Sequence, residues 1–281
     1  MTKDRLKALN IQATINRKHA IDQVFHASSG HPGGSLSAMD ILTSLYFNEM
    51  KVDPKKPLWE DRDRFVLSKG HCSPALYACL AERGFFDKDI LPTFRGTESI
   101  LEGHPNMTYV PGVDMSTGSL GQGISAAVGM ALAGKLDGKS YRVYAMIGDG
   151  ECQEGQVWEA LMAAAHYKLD NLVAILDHNS LQIDGDIKEV MNPEPLADKF
   201  KAFNWHVIKI NGHDMTQIED ALRVAKTVKN QPTMIVAETV KGKGVSYMEN
   251  QAGWHGNAPN QEQRDIAISE LDKHLAELEA E

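Results

Sequence analysis

Between residues 122 and 238 the chain alternates helical and strand patterns, and this alternation restricts its fold more than any other feature. A helical stretch rich in Ala and Gly (122–136) precedes an apolar run at 141–147, and a second (154–168) precedes a run at 172–176. Strand patterns at 206–210 and 233–238 flank a further helical stretch at 216–229. Strands separated by helices of this length join through right-handed βαβ crossovers, which build a parallel sheet covered on both faces. The expectation is therefore an α/β fold, a doubly wound, mostly parallel sheet with helices on both faces, whose ligands sit beyond the carboxyl ends of the strands. Upstream, 11–28 (Ile15, Ala20, Ile21, Val24, Phe25) and 35–48 (Leu36, Met39, Leu42, Leu45, Tyr46) show helical spacing on either side of the breaker cluster SSGHPGG. Downstream, the Gly-rich stretch 240–259 reads as a long loop, ordered or mobile, and 260–281 as a last amphipathic helix carrying Ile266, Ile268, Leu271, Leu275 and Leu278. With no internal repeat, the expectation is one domain over residues 1–281.

Charge and composition exclude several classes of function. A net charge of -9 argues against a nucleic-acid footprint, which needs a basic patch to displace counterions from phosphates, so an anionic ligand must be gripped by a local site. The charged N-terminus lacks the apolar core of a secretory signal, and no apolar stretch reaches membrane-spanning length. Cys72, Cys79 and Cys152 are an odd set without a C-x-x-C pair, which suggests neither a zinc site nor a disulfide framework. These features describe a soluble protein of a reducing cytoplasm.

The run 143–147 stops on Gly148-Asp149-Gly150. An unpaired buried polar group costs roughly 2–7 kcal/mol, so a partner for the Asp149 carboxylate is expected. The next run leads into Asp177-His178-Asn179, and in a right-handed βαβ unit both strand ends open on one edge, which lets Asp149 and Asn179 converge. A carboxylate oxygen, an amide oxygen and a nearby backbone carbonyl are hard ligands that suit Mg²⁺ or Ca²⁺, completed by phosphate oxygens and water. Gly150 admits close approach of a ligand, and the following helix can turn its N–H groups toward an anion. For the tripeptide alone, the alternative is an ordinary strand-to-helix turn with Asp149 as cap.

Four histidines, His31, His71, His104 and His255, lie in turns flanked by Gly or Pro, whereas the other seven fall mostly in helix or strand patterns. Singly each reads as a loop residue; together they suggest a shared site where imidazole moves protons near neutral pH. Trp158, Leu161, Met162, Ala165 and Leu169 read as the core stripe of the helix after the turn. GMALAGK at 129–135 is followed by Leu136 rather than the Ser or Thr of a phosphate loop, and 118–123 has the spacing G-x-x-G-x-G rather than that of a dinucleotide site.

GDG followed at this distance by Asn resembles the fingerprint of thiamine diphosphate enzymes, with His178-Asn179 where many members carry Asn-Asn. SSGHPGG (28–34), SKGHCSPALY (68–77), GHPN (103–106), TGSLGQGISAAVGMA (117–131), IGDGECQEGQVWEA (147–160), DHNSLQIDG (177–185) and GWHGNAP (253–259) occur in order. Together they resemble the N-terminal, diphosphate-binding domain of transketolase over essentially the whole chain.

The resemblance implies thiamine diphosphate as cofactor, with a divalent ion (Mg²⁺, or Ca²⁺ or Mn²⁺) held by Asp149, Asn179 and the main-chain carbonyl of Leu181. Gly150 and Asn179 would lie near the diphosphate. Gly118, Ser119 and Leu120 would pack on the cofactor, Ser119 standing where many transketolases have Pro. His71 and His255 would lie near the diphosphate and reacting centre, and His31 and His104 would face the hydroxyls and carbonyl oxygen of a sugar phosphate. Glu154 matches an acidic residue near the partner domain that serves proton relay.

The implied reaction passes a two-carbon ketol unit from a ketose to an aldose phosphate, such as xylulose 5-phosphate to ribose 5-phosphate. The glutamate that contacts the aminopyrimidine ring belongs in this family to a second, pyrimidine-binding domain absent from this sequence. The expectation is thus one subunit of a split transketolase, completed by a C-terminal pyrimidine-domain subunit, in a dimer of heterodimers. Apolar surface around the strand ends and the last helix would meet that partner. Alternatives are another sugar chemistry with the same cofactor (an unusual-sugar transketolase, a dihydroxyacetone synthase, a deoxyxylulose-phosphate synthase) and a non-catalytic relative.

Overall fold

The computed structural model describes residues 1–280, so the last residue of the expected C-terminal helix lies outside the described residues. Helix α1 (Lys3–Ala27) begins well before the apolar spacing does, because Thr2 caps its first turn by accepting a hydrogen bond from the Arg5 amide. The stretch expected as one helix at 35–48 is three pieces: α2 (Pro32–Ser37), α3 (Met39–Ser44) and a turn of π-helix at Leu45–Glu49. Pro32, with φ preset for a first helical turn, starts α2 directly after His31.

The upstream third is not all helical. A four-residue strand, β1 (Arg64–Leu67), precedes a turn of 3-10 helix at Gly70–Cys72 and α4 (Ser73–Arg83). The alternating region follows as α5 (Gln122–Leu136), β2 (Val143–Gly148), α6 (Gly155–His166) and β3 (Leu172–His178). A short hairpin, β4 (Leu181–Gln182) and β5 (Gly185–Asp186), leads into α7 (Ile187–Met191) and α8 (Leu196–Ala202). The chain continues through β6 (His206–Asn211), α9 (Met215–Ala225), β7 (Thr233–Glu238) and α10 (Gln261–Ala280).

The main sheet has the order β1-β2-β3-β7-β6, and every pair in it is parallel. β1, β2, β3 and β7 are buried on both sides, whereas the edge strand β6 is only partly covered. In β2, Tyr144 and Met146 join a core with residues of α1, α3, α4 and α9, while Val143, Ala145 and Ile147 join a second core with α5, α6 and α8. Burying each large apolar side chain contributes roughly 1.5–3 kcal/mol, so the sheet is anchored from both faces and its carboxyl edge is a rigid platform. The expected doubly wound arrangement is the observed one.

Two stripes differ from expectation. On α6 the inward positions are Val157, Ala160, Leu161 and Ala164, and Met162 is 59 % exposed. The expected stripe mixed in the flank of that face, where Trp158 instead packs against Phe200 with ring centroids 5.8 Å apart. On α10 most of the apolar side chains are taken up by the body of the chain, and Ile266, 43 % exposed, is left open. Ala267 and Leu271 close a third core with Ile21, Leu36, Val245 and Met248, and Arg264 pairs with Asp22 of α1 at 2.8 Å. The 240–259 loop is therefore tied into the body by Val245 and Met248, both fully buried. Among the described residues no helix is long and apolar enough to cross a membrane.

Candidate active site

Strand register brings the chemistry-bearing turns together. Leu67 of β1 lies opposite Met146 of β2, Gly148 opposite Asp177 of β3, and His178 opposite Glu238 of β7. Lys69, Asp149, Asp177, Asn179 and Lys241 therefore all leave the sheet on one edge. Here the structure forms a cavity of about 350 Å³ lined by His31, Gly34, Lys69, His71, Gly118, Leu120, Asp149, Gly150, Glu154, Asn179, Leu181, Lys241 and His255, among others.

Asp149 is 2 % exposed. Its Oδ1 accepts from the Gly150 amide at 2.7 Å and its Oδ2 from the Ser180 amide at 2.5 Å. Burial, with Asp177 close by, still pushes its carboxyl up to about 6, so the negative charge is incompletely compensated. Asn179 Oδ1 accepts from the Leu181 amide at 3.1 Å, and the Leu181 carbonyl lies in the same turn, accepting from Lys241 Nζ at 2.9 Å. One carboxylate, one amide oxygen and one main-chain carbonyl form an oxygen-only donor set that fits a hard divalent cation, and such a cation would compensate Asp149. Among the described residues no cluster of three or more His, Cys, Asp or Glu side chains offers a metal site, as expected for a set with a single carboxylate.

Asp177, fully buried, organises the floor. It receives Lys69 Nζ at 2.5 Å, the Ser37 hydroxyl at 2.6 Å, the Asn179 amide at 3.1 Å and the Thr239 hydroxyl. Burial alone would raise its carboxyl, but Lys69 and these donors outweigh it and hold it low; burial likewise opposes the Lys69 ammonium, whose value Asp177 drives up instead. Glu151 serves as a second buried brace. Its carboxylate accepts from the amides of Gly121 (2.8 Å) and Gly148 (3.0 Å) and from Ser68, locking the TGSLGQG turn to the aspartate turn. Gly123 permits that approach, since a Cβ there would stand 2.6 Å from Ser68 Cα.

Three of the four singled-out histidines converge. The ring centroids of His31, His71 and His255 are 5.1 to 5.4 Å apart. Burial, with Arg95, His104 and Lys241 nearby, lowers His31 to about 4; burial and Lys241 lower His255 to about 3; burial and Lys69 hold His71 well below its usual value. All three are neutral near pH 7. The Lys241 ammonium lies 3.0 Å from His255 Nδ1, which must then accept, leaving the proton on Nε2. Lys241 is itself pulled down by burial and by Lys69, and His31 Nδ1 is buried without a partner. An anion beside Lys241 and a polar ligand atom at His31 would answer both deficits, so the cavity fits a diphosphate and a hydroxylated substrate as well as a cation.

Of the residues singled out in the sequence, the structure brings His31, His71, His255, Glu154, Gly118, Leu120, Asp149, Gly150, Asn179 and Leu181 to the cavity wall. Ser119 is exposed and outside it. His104 is exposed on the rim, its ring against Gly118, where a Cβ would meet its Cγ at 3.3 Å. Sequence reasoning missed Lys69, Glu151, Asp177 and Lys241. Lys69 and Glu151 lie inside motifs already quoted, and KGKG after the last strand was the available signal for Lys241.

Comparison with known proteins identifies the family. Residues 9–272 match the family model described as transketolase, thiamine diphosphate binding domain. A protein of Phocaeicola vulgatus, named as one of the subunits of an apulose-4-phosphate transketolase, is 45 % identical over 99 % of this chain and 98 % of its own length. The 6-deoxy-6-sulfo-D-fructose transketolase subunit SqwG of a Clostridium species is 46 % identical over 95 % of this chain and 98 % of its own. Among solved structures, the transketolase of Pichia stipitis in complex with sedoheptulose 7-phosphate superposes with a TM-score of 0.87 at 32 % identity, over 98 % of this chain but 44 % of that one. The chain thus spans less than half of that transketolase and nearly the full length of the two subunits. It belongs to the transketolase family of transferases, as a thiamine diphosphate-binding domain.

Proposed function

We propose that this protein is the diphosphate-binding subunit of a split transketolase, residues 1–281 acting as one unit that a pyrimidine-domain partner completes. The observation that carries this reading is its match, over nearly their full length, to two proteins named as transketolase subunits, joined to a cavity whose oxygen donors and lysines suit a divalent cation and a diphosphate. Asp149, Asn179 and the Leu181 carbonyl would hold Mg²⁺, and Lys241, His71 and the Gly150 turn would receive the diphosphate. Bound thiamine diphosphate supplies the nucleophilic carbon that attacks a ketose carbonyl. His31, His255 and His104, the first two held neutral, would donate to and accept from the hydroxyls and carbonyl oxygen of the sugar, and Glu154 would reach toward the partner. The apolar side chains that remain open near the strand ends, Ile183, Met191 and Tyr109, are 57 to 69 % exposed and suit burial by that partner in a dimer of heterodimers.

The names of the two relatives bear on the donor sugar. Their substrates, apulose 4-phosphate and 6-deoxy-6-sulfofructose, favour an unusual ketose over xylulose 5-phosphate. The test is co-purification of the partner from the native source, followed by transfer assays with all three donors and an aldose phosphate acceptor. Activity that requires both polypeptides, Mg²⁺ and thiamine diphosphate is expected. Full turnover by this chain alone, or an assembled complex that retains no thiamine diphosphate, would overturn the proposal.

A further inference from the structure

Outside the cavity wall lies a buried polar constellation of Arg17, Asp40 and His213, contributed by α1, α3 and the turn after β6. Arg17 grips Asp40 with two parallel hydrogen bonds, Nη1 to Oδ1 at 2.9 Å and Nη2 to Oδ2 at 2.6 Å, and both side chains are 8 % exposed. Asp40 Oδ2 also meets His213 Nδ1 at 2.7 Å. Burial alone would raise the Asp40 carboxyl, but Arg17 and His213 outweigh it and hold it down to about 2. None of the three residues lines the cofactor cavity.

The constellation closes a ring on one short piece of backbone. His213 Nε2 accepts from the Val240 amide at 2.8 Å, so the ring proton is on Nδ1, donated to Asp40. Arg17 Nε donates to the Lys243 carbonyl at 3.2 Å. The segment between those two anchors contains Lys241, whose ammonium meets the Leu181 carbonyl at 2.9 Å and His255 Nδ1 at 3.0 Å. The Gly242 amide meanwhile donates to the Gly33 carbonyl at 3.0 Å, two residues from His31.

We propose that Arg17, Asp40 and His213 form a positioning unit that grips the backbone on both sides of Lys241, holding its ammonium at the Leu181 carbonyl and His255 and thereby setting the affinity for the cofactor's diphosphate. His213 is the member that acts through a single defined bond, to the Val240 amide. This inference rests on the proposed cofactor reading, and its physical logic is that of outer-shell partners, whose loss costs roughly 10- to 100-fold in affinity by releasing the groups they orient.

Two isosteric variants separate positioning from general packing. In His213→Asn the side-chain amide reaches the place of Nδ1 and keeps Asp40 but leaves the Val240 amide without an acceptor. In His213→Gln the amide oxygen reaches the place of Nε2 and can accept from Val240. Titrating the full chain in complex with its partner by calorimetry, with Mg²⁺ present, should show thiamine diphosphate affinity falling roughly tenfold in His213→Asn and recovering to within about threefold in His213→Gln. In a Lys241→Met background, His213→Asn should add less than a twofold loss, because its effect passes through Lys241. Equal losses in both backgrounds, or no loss in His213→Asn, would overturn the inference.

A cofactor-independent reading comes from hydrogen exchange of the full chain without ligand. Amides 240–243 should exchange at least about tenfold faster in His213→Asn than in the wild type or His213→Gln. Unchanged exchange would overturn the tether. A wild-type complex that binds no thiamine diphosphate while the exchange result holds would sink the proposed function and leave the tether standing.

Discussion

Replacing Lys69 by methionine removes the cation from Asp177, the one carboxylate in the site with no exposure at all. Breaking a buried pair from one side costs about 3–5 kcal/mol, because the remaining charge stays buried. Asp177 retains three donors, Ser37, Thr239 and Asn179, which places the expected loss near the lower end, about 3 kcal/mol. At roughly 2–4 °C per kcal/mol for a domain of this size, the midpoint of thermal unfolding should fall by about 6–12 °C.

Adding Asp177→Leu does not rescue this loss. A leucine would remove the stranded charge, yet it leaves the Thr239 hydroxyl and the Asn179 amide without this acceptor, at about 1–3 kcal/mol each, while Ser37 keeps only the Gly34 carbonyl at 3.1 Å; these losses offset the gain from an apolar replacement. The sign with pH follows from the lowered Asp177 value. The pair's contribution is present above the ordinary carboxylate range and is lost as pH falls through the folded value, so the gap between wild type and Lys69→Met should be widest near neutrality and narrow below about pH 4. Scanning calorimetry at several pH values decides the matter. A midpoint within about 2 °C of wild type at pH 7 would show that Lys69 and Asp177 do not depend on each other in this way, and recovery in the double variant would show that the other donors do not need the carboxylate.

Three further perturbations test the site. His31 and His255 are lowered to about 4 and about 3, so the native chain binds fewer protons than the unfolded one over that interval; stability should decline as pH falls from about 6.5, and the His31→Gln/His255→Gln variant should show a shallower decline in urea midpoint. Gly34→Ala places a Cβ 2.7 Å from Cys72 Sγ, an overpacking worth about 1–3 kcal/mol that also shifts the cavity wall beside Lys69; calorimetry should find both a lower melting midpoint and weaker thiamine diphosphate binding, and full retention of either would count against the packing described. Cys72, Cys79 and Cys152 are buried thiols whose ionisation burial suppresses, so a thiol reagent should label none in the native chain and three in denaturant; a rapidly labelled native cysteine would contradict the assigned burial.

The doubly wound sheet was legible because β2, β3 and β7 are apolar on both faces and separated by helices long enough for a crossover, a pattern with few other solutions. β1 was not. At four residues, preceded by a run of charges, it carries too few side chains for a periodicity, and only pairing with β2 makes it a strand. The split of the expected helix at 35–48 has a similar origin: all of α2 and α3 is buried, so apolar and small residues occur on every face, Asp40 apart, and helical spacing cannot locate the break.

The parts of the site legible in sequence are those on sharp turns, where Gly and Pro mark a backbone that does something unusual. Asp149, Asn179, His31, His71 and His255 were found that way. The parts that were not legible are the charges that hold the turns in place. Asp177 and Glu151 are carboxylates inside ordinary-looking polar stretches, and what separates them from surface acids is burial with three or more donors converging, which only tertiary packing reveals. Lys241 is a sharper case. In sequence it is one lysine of KGKG in a polar loop, whereas in the fold it is 2 % exposed at the carboxyl edge of the sheet, and Lys243 two residues on is partly exposed and pairs with Glu249. Composition cannot tell the two apart. The difference lies in the anchors on the flanking backbone, Val240 to His213 and Lys243 to Arg17, which come from 27 and 226 residues away in the chain. A cation's role at this site is therefore set by what grips its neighbours, and that is the information a local reading of the sequence lacks.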